Sequence, residues 1–176
     1  MGDACDHDHI DSRPGAAEVE RTVAAVEARV SADGDRMTAP RRRVLELLLS
    51  AAEPVKAYDL IARYGLDGQA AKPPTVYRAL EFLEKRGLAH RIASISAYVA
   101  CTAQACAPGG HAAAFLICAC CGATEEVAVP GGDVIAQAAT TAGSAIERTT
   151  IEGHGGCGAC RVAACRTWTP WPCRRP

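Results

Sequence analysis

Cys118-x-x-Cys121, followed at once by Gly122, and Cys157-x-x-Cys160, set in the Gly-rich run 153–158, are the residues with the plainest chemistry in this chain. Each short turn carries two thiols to one side, so two such turns can surround one tetrahedral Zn2+ with sulfurs at roughly 2.3 Å. Disulfides would suit a secreted chain, but the N-terminus holds Asp3, Asp6 and Asp8 and no apolar leader. A redox Cys-x-x-Cys of the thioredoxin type normally occurs once, at a strand-to-helix junction. Two copies favour a structural zinc site. The pairs are separated by 35 residues, 122–156, more than the roughly 15 to 20 of a compact zinc ribbon. A small subdomain must therefore fit between the knuckles, with the metal stapling its ends. Cys120 adjoins Cys121, and neighbouring side chains on an extended or turning backbone diverge, so Cys120 reads as a bystander thiol.

The elements that must position these residues divide by charge. With 176 residues the chain can hold one large domain or two small ones, and its net charge of −1 conceals a segregation. Residues 1–35 carry three Arg against nine Asp and Glu, residues 36–100 carry eleven Lys and Arg against six acids, and residues 101–176 carry five of each sign. The basic middle is the candidate polyanion-binding unit. No run is long and apolar enough to span a membrane, which points to a cytoplasmic chain with reduced thiols. An enzyme is not expected. There is no Gly-x-Ser-x-Gly, no Gly-rich phosphate loop and no His-Glu-x-x-His, and no small-molecule substrate is implied.

Within the basic middle, Pro40 opens a helix whose first turn holds Arg41, Arg42 and Arg43, and whose apolar stripe is Val44, Leu45, Leu48 and Leu49. A second short helix fits 57–64, closed by Gly65, and 68–72 reads as a loop. Pro73 and Pro74 start a third helix, where a missing N–H costs nothing. Its Val76, Ala79, Leu80 and Leu83 fall on one face, and its Tyr77, Arg78, Glu81 and Lys85 on the other. Gly87 ends it. Two apolar stretches, 88–93 and 97–101, then flank a Ser94-Ile95-Ser96 turn. Three helices and a hairpin are the order of a winged helix-turn-helix, in which one helix enters the major groove and the wing rests on the backbone. Arg78 can bond guanine O6 and N7, Tyr77 a thymine methyl or a phosphate, and Lys85 and the 41–43 arginines phosphates. A solvated helix face is the plainer reading of Arg78 and Lys85 taken alone.

The run Lys72-Pro73-Pro74-Thr75-Val76-Tyr77-Arg78-Ala79-Leu80, the element Phe115-Leu116-Ile117-Cys118-x-x-Cys121-Gly122 and the late Cys157-x-x-Cys160 occur in the order that resembles the ferric uptake regulator family, zinc uptake regulators above all. The resemblance spans about 16–165. It implies an α+β architecture, with an N-terminal winged-helix DNA-binding domain, a hinge and a C-terminal α/β dimerisation domain. It further implies metal-dependent repression by a homodimer on a double-stranded palindromic operator. The expected division is an acidic disordered tail over 1–15, the winged helix over 16–101, a hinge loop over 102–110, the dimerisation and metal-binding domain over 111–165 and a tail over 166–176. The expected DNA-binding set is Tyr58, Lys72, Thr75, Tyr77, Arg78, Lys85 and Arg41.

The second domain can be read directly as a strand over 111–118, a strand over 123–129, an Ala-rich helix over 134–141 and a strand over 145–151. Such a thin domain gains by pairing across a twofold axis. The family resemblance also implies a regulatory metal between the domains, and the matching positions are His90, Cys101, His111 and Glu126. This mixed set suits Zn2+ better than iron, giving two Zn2+ per chain. Glu125 and Cys106 are near alternatives to Glu126 and Cys101. A family member sensing iron, manganese or nickel, or a cytosolic zinc-binding or thiol-redox protein without a DNA partner, are the competing readings. Cys5, Cys165 and Cys173 and the N-terminal Asp/His run receive no role.

Overall fold

The structure is a computed structural model that describes residues 14–65, 71–101, 113–127, 133–146 and 149–163. Residues 1–13 of the expected acidic tail, the hinge loop and the C-terminal tail, together with His111 and Cys106, lie outside these residues.

The N-terminal part packs four helices on a small sheet. These are α1 (Ala16–Ala32), α2 (Ala39–Leu49), α3 (Ala57–Arg63) and α4 (Pro73–Lys85), with β1 (Val55–Lys56), β2 (Ala89–Ile92) and β3 (Ala97–Ala100) in the order β1-β3-β2, all antiparallel. Helices α2, α3 and α4 follow the predicted apolar stripes. Val44, Leu45 and Leu48 of α2 bury against Leu60 of α3 and against Val76, Ala79, Leu80 and Leu83 of α4. Each of the larger side chains contributes roughly 1.5–3 kcal/mol by leaving water, so Leu80→Ala, at a site 1 % exposed, should cost about 2–5 kcal/mol.

Helix α1 was not among the predicted helices. It covers this core with Val19, Val23 and Val30, and Arg42 of α2 pins it there. The Arg42 guanidinium donates to Glu20 at 2.6 Å and Glu27 at 2.8 Å, both on α1, and to Glu46 at 2.9 Å on its own helix. These three carboxylates hold the guanidinium proton above its already high ordinary pKa.

The C-terminal part has β4 (Ala113–Cys118), β5 (Thr124–Val127), α5 (Asp133–Thr141), β6 (Thr150–Gly155) and α6 (Gly158–Ala163), with strand order β5-β4-β6. Strand β5 runs antiparallel and β6 parallel to β4. The last strand lies later than the 145–151 expected. Gly153 and Gly155 lie inside it, and a Cβ at Gly153 would come within 3.1 Å of the Leu116 side chain on β4. The short α6 was also not foreseen.

The hairpin β2–β3 belongs to both parts. Period-two alternation turns Ala89 toward the helices and His90 and Ile92 the other way. Ala89 accordingly joins the helical core, while Ile92 joins Ala113, Phe115 and Ile117 of the second sheet, with Ile95 and Val99 packed alongside. The turn between the two strands is held to the second sheet as well: its N–H groups at Ala93 and Ser94 donate to Glu152 of β6.

Candidate metal centres and nucleic-acid face

The first knuckle grows from the end of β4. Cys118 is its last residue, and the chain reverses through 119–121 with the N–H of Gly122 donating to the Cys118 carbonyl at 2.9 Å. Gly122 sits at φ 81°, a left-handed turn that a side chain would strain. The second knuckle lies where β6 meets α6. Because β6 runs parallel to β4, both strands end at the same edge and deliver their cysteines together. The N–H of Ala119 reaches the Gly155 carbonyl at 2.7 Å, and the N–H of Cys157 reaches Cys118 Sγ at 3.3 Å.

The four sulfurs of Cys118, Cys121, Cys157 and Cys160 fall within 4.8 Å of one another. Cys121 and Cys157 are 3.7 Å apart, too far for a disulfide. Four sulfurs at 2.3 Å from a tetrahedral ion would be about 3.8 Å apart, so the Cys121–Cys157 spacing fits Zn2+. Burial opposes ionisation of Cys118, but the N–H groups of Cys121, Cys157 and Cys120 outweigh it and hold the thiol down at about 6. Burial pushes Cys160 and Cys121 up, and neighbouring thiols push Cys160 further. A thiolate metal site needs its cysteines to lose their protons, which a bound dication would favour. Cys120 is half-buried and outside this group of four.

The second cluster spans the two parts of the chain. His90, 4 % exposed, comes from β2, Cys101 follows β3, and Glu126 comes from β5; their ligand atoms lie within 4.8 Å of one another. The N–H of Cys101 donates to the Leu88 carbonyl at 3.0 Å, which fixes it beside the base of β2. Strand register decides between the two adjacent glutamates. Glu126 pairs with buried Phe115, whereas Glu125 pairs with Leu116, which is 52 % exposed on the opposite face. An imidazole, a thiolate and a carboxylate leave one place in a tetrahedron, and the donors suit Zn2+. Phe115, whose ring centroid is 5.8 Å from that of His90, backs the imidazole. Its apolar strand was legible, but its place behind the histidine depends on pairing across the chain.

The nucleic-acid face shows which charges are available. Helix α4 exposes Tyr77, Arg78 and Lys85 while burying its other side. Lys72 precedes the helix, exposed, and accepts the Thr75 N–H at its carbonyl. Tyr58 on α3 is 78 % exposed and Tyr77 is 52 % exposed. Large aromatic rings held in water next to cations are unusual for a surface with no partner. Arg41 sits over the Phe82 ring of α4 at 3.5 Å. Of the arginines expected to meet phosphates, Arg42 is held by its three carboxylates and Arg43 donates to the Tyr64 carbonyl at 3.0 Å, so both are engaged within the protein. Glu46 is a local partner, but Glu20, Glu27 and the Tyr64 carbonyl lie far along the chain, beyond any local motif.

Comparison with known proteins bears on these sites. The family model described as the ferric uptake regulator family matches residues 32–153. The zinc uptake regulation protein of Escherichia coli (strain K12) is 39 % identical over 133 residues, covering 74 % of this chain and 77 % of that protein. Among solved structures, a zinc uptake regulator complexed with zinc and DNA superposes with a TM-score of 0.72 at 35 % identity, over 81 % of this chain and 95 % of that one. The crystal structure of holo XcZur gives 0.67 at 38 % identity, over 81 % and 99 %. The chain belongs to the ferric uptake regulator family and, within it, to the zinc uptake regulators.

Proposed function

We propose that this chain is a zinc-responsive, DNA-binding transcriptional repressor that acts as a homodimer and turns off zinc-uptake genes when zinc is plentiful. The observation that carries this reading is the position of His90, Cys101 and Glu126, which brings wing and second sheet to one point. His111, just ahead of β4, would complete the four. A Zn2+ bound there would supply a fixed crosslink between the two parts. His90 and Cys101 then hold the wing, and with it α4, at one orientation to the β5-β4-β6 sheet. Ligand binding of this kind raises the fraction of molecules in the DNA-competent shape by the ratio of affinities for the two shapes.

The four-cysteine cluster takes a different part in this reading. Its sulfurs staple β4 and β6 at one edge, so a second Zn2+ per chain would be structural and would not follow fluctuations in supply. With four protein ligands at each site no coordination position is open to a substrate, and a catalytic role is not proposed. Dimerisation is supported by α5 and its surroundings, where Val134, Ile135 and Ile146 stand 65 %, 40 % and 43 % exposed. A twofold pair matches a palindromic operator. The proposed division keeps the winged helix at 16–101, the hinge at 102–110 and the dimerisation part at 111–165. The acting compartment is the cytoplasm, where DNA and reduced thiols coexist. No helix among the described residues is long and apolar enough to cross a membrane.

Titrating operator binding with different metals tests the zinc assignment. Zn2+ should tighten binding at concentrations well below those at which Mn2+ or Fe2+ acts; equal potency of the three would remove it.

A further inference from the structure

Glu152 stands outside both ligand sets, yet it reaches the wing. It is level with Phe115 across the β6–β4 pair, and Phe115 is level with Glu126 across the β4–β5 pair. Residues in register on neighbouring strands share a face of the sheet. Glu126, Phe115 and Glu152 therefore form one row beneath the hairpin. Two members of this row meet His90, Glu126 at 3.9 Å from Nε2 and Phe115 ring to ring. The third meets the turn just beyond it: Oε1 of Glu152 accepts the N–H of Ala93 at 2.7 Å, and Oε2 that of Ser94 at 3.2 Å. Successive backbone N–H groups converging on a carboxylate form an anion nest. Both bonds go to main chain, so they fix the turn itself. On the other side His154 Nε2 lies 3.7 Å from Oε2 of Glu152.

We propose that Glu152 is a positioning residue for metal sensing: by clasping the wing turn at Ala93 and Ser94 it holds His90 over Glu126 before metal binds, and so sets the affinity of the regulatory site. The role rests on reading His90, Cys101 and Glu126 as that site. When ligands come from two parts of a chain, apparent affinity falls by the fraction of molecules in which those parts are apart. An apolar patch around Ile92 and Phe115 holds the same interface. Losing a charge-assisted pair of hydrogen bonds reduces the closed population, and with it the affinity, by about tenfold. The same residue would leave the four-cysteine site untouched, because it faces the wing and not the knuckles.

The test titrates the full chain with Zn2+ against a competing chelator, without DNA, for the unaltered protein, Glu152→Gln, Ser94→Ala and Glu126→Gln. Glu152→Gln should keep the first zinc and bind the second about tenfold more weakly, and excess Zn2+ should restore operator binding to the unaltered strength. Ser94→Ala, which keeps the backbone bonds but removes the hydroxyl that also reaches Glu152, should shift the second zinc in the same direction by less. Unchanged second-zinc affinity in Glu152→Gln overturns the clasp and leaves the sensor reading standing. If Glu152→Gln loses the first zinc through misfolding, Ser94→Ala decides, and no shift there overturns the clasp. A second zinc that survives Glu126→Gln at full affinity overturns the sensor reading and the clasp together.

Discussion

His90 Nε2 lies 3.9 Å from Glu126 Oε1, although the histidine belongs to the wing and the glutamate to the second sheet. Neither strand alone brings an imidazole and a carboxylate to this spacing, and Cys101 completes the group from the end of the hairpin. Glu126→Gln should weaken the second zinc by at least about a hundredfold, beyond the effect usual for an outer-shell partner. Glu125→Gln, on the exposed face, should leave it unchanged. Competitive zinc titration of both variants checks this, and equal loss in the two would mean that register does not select the ligand.

Cys118→Ser removes one corner of the cysteine cluster. Structural zinc of this kind contributes on the order of 10 kcal/mol to folding, so the variant should lose the first zinc and melt far below the unaltered chain. Native mass spectrometry and a thermal melt read both effects. The Cys120→Ser variant should keep full metal content.

Arg78→Ala and Lys85→Ala should differ in kind. A base-reading arginine costs about 1–3 kcal/mol at one operator position and relaxes specificity there. A phosphate-binding lysine weakens all sequences alike and lowers the slope of log affinity against log salt by about one. Fluorescence anisotropy across a salt series and a panel of single-base operator changes separates the two.

The Ser94 hydroxyl, against an opposing effect of burial, together with the turn N–H groups and His154, holds the Glu152 carboxyl below its ordinary value. A group whose pKa is depressed on folding stabilises the fold fully above its unfolded value and loses that effect as pH falls through the folded one. The stability difference between the unaltered chain and Glu152→Gln should therefore be present at neutral pH and vanish on acidification below about 4.5, the ordinary carboxyl value. A difference that grew on acidification would contradict the clasp.

What could be read before folding, and what could not, follows from how far apart the interacting residues lie. Helices α2, α3 and α4 and both cysteine knuckles rest on local spacing, and their residues were legible. Helix α1 carries a legible signal too, since Val19, Val23, Val26 and Val30 recur at helical spacing in a segment expected to belong to the winged-helix domain but given no helix of its own. The extent of β6 was misjudged because Gly153 and Gly155 carry no strand signal of their own, and Leu116 comes beside Gly153 only once β6 pairs with β4. Glu152 looked like an ordinary strand residue, and its contact with Ala93 is non-local. Arg42 and Arg43 looked like phosphate ligands for the same reason: their partners on α1 and at the end of α3 become neighbours only after packing.

The most direct measurement follows zinc stoichiometry per chain and operator binding in one titration of the metal-free, reduced protein. Two zinc ions per chain, with operator affinity rising only as the second binds, is the predicted result. Full operator affinity after the first ion, before the second is taken up, would contradict the separation of a structural four-cysteine site from a sensing site at His90, Cys101 and Glu126.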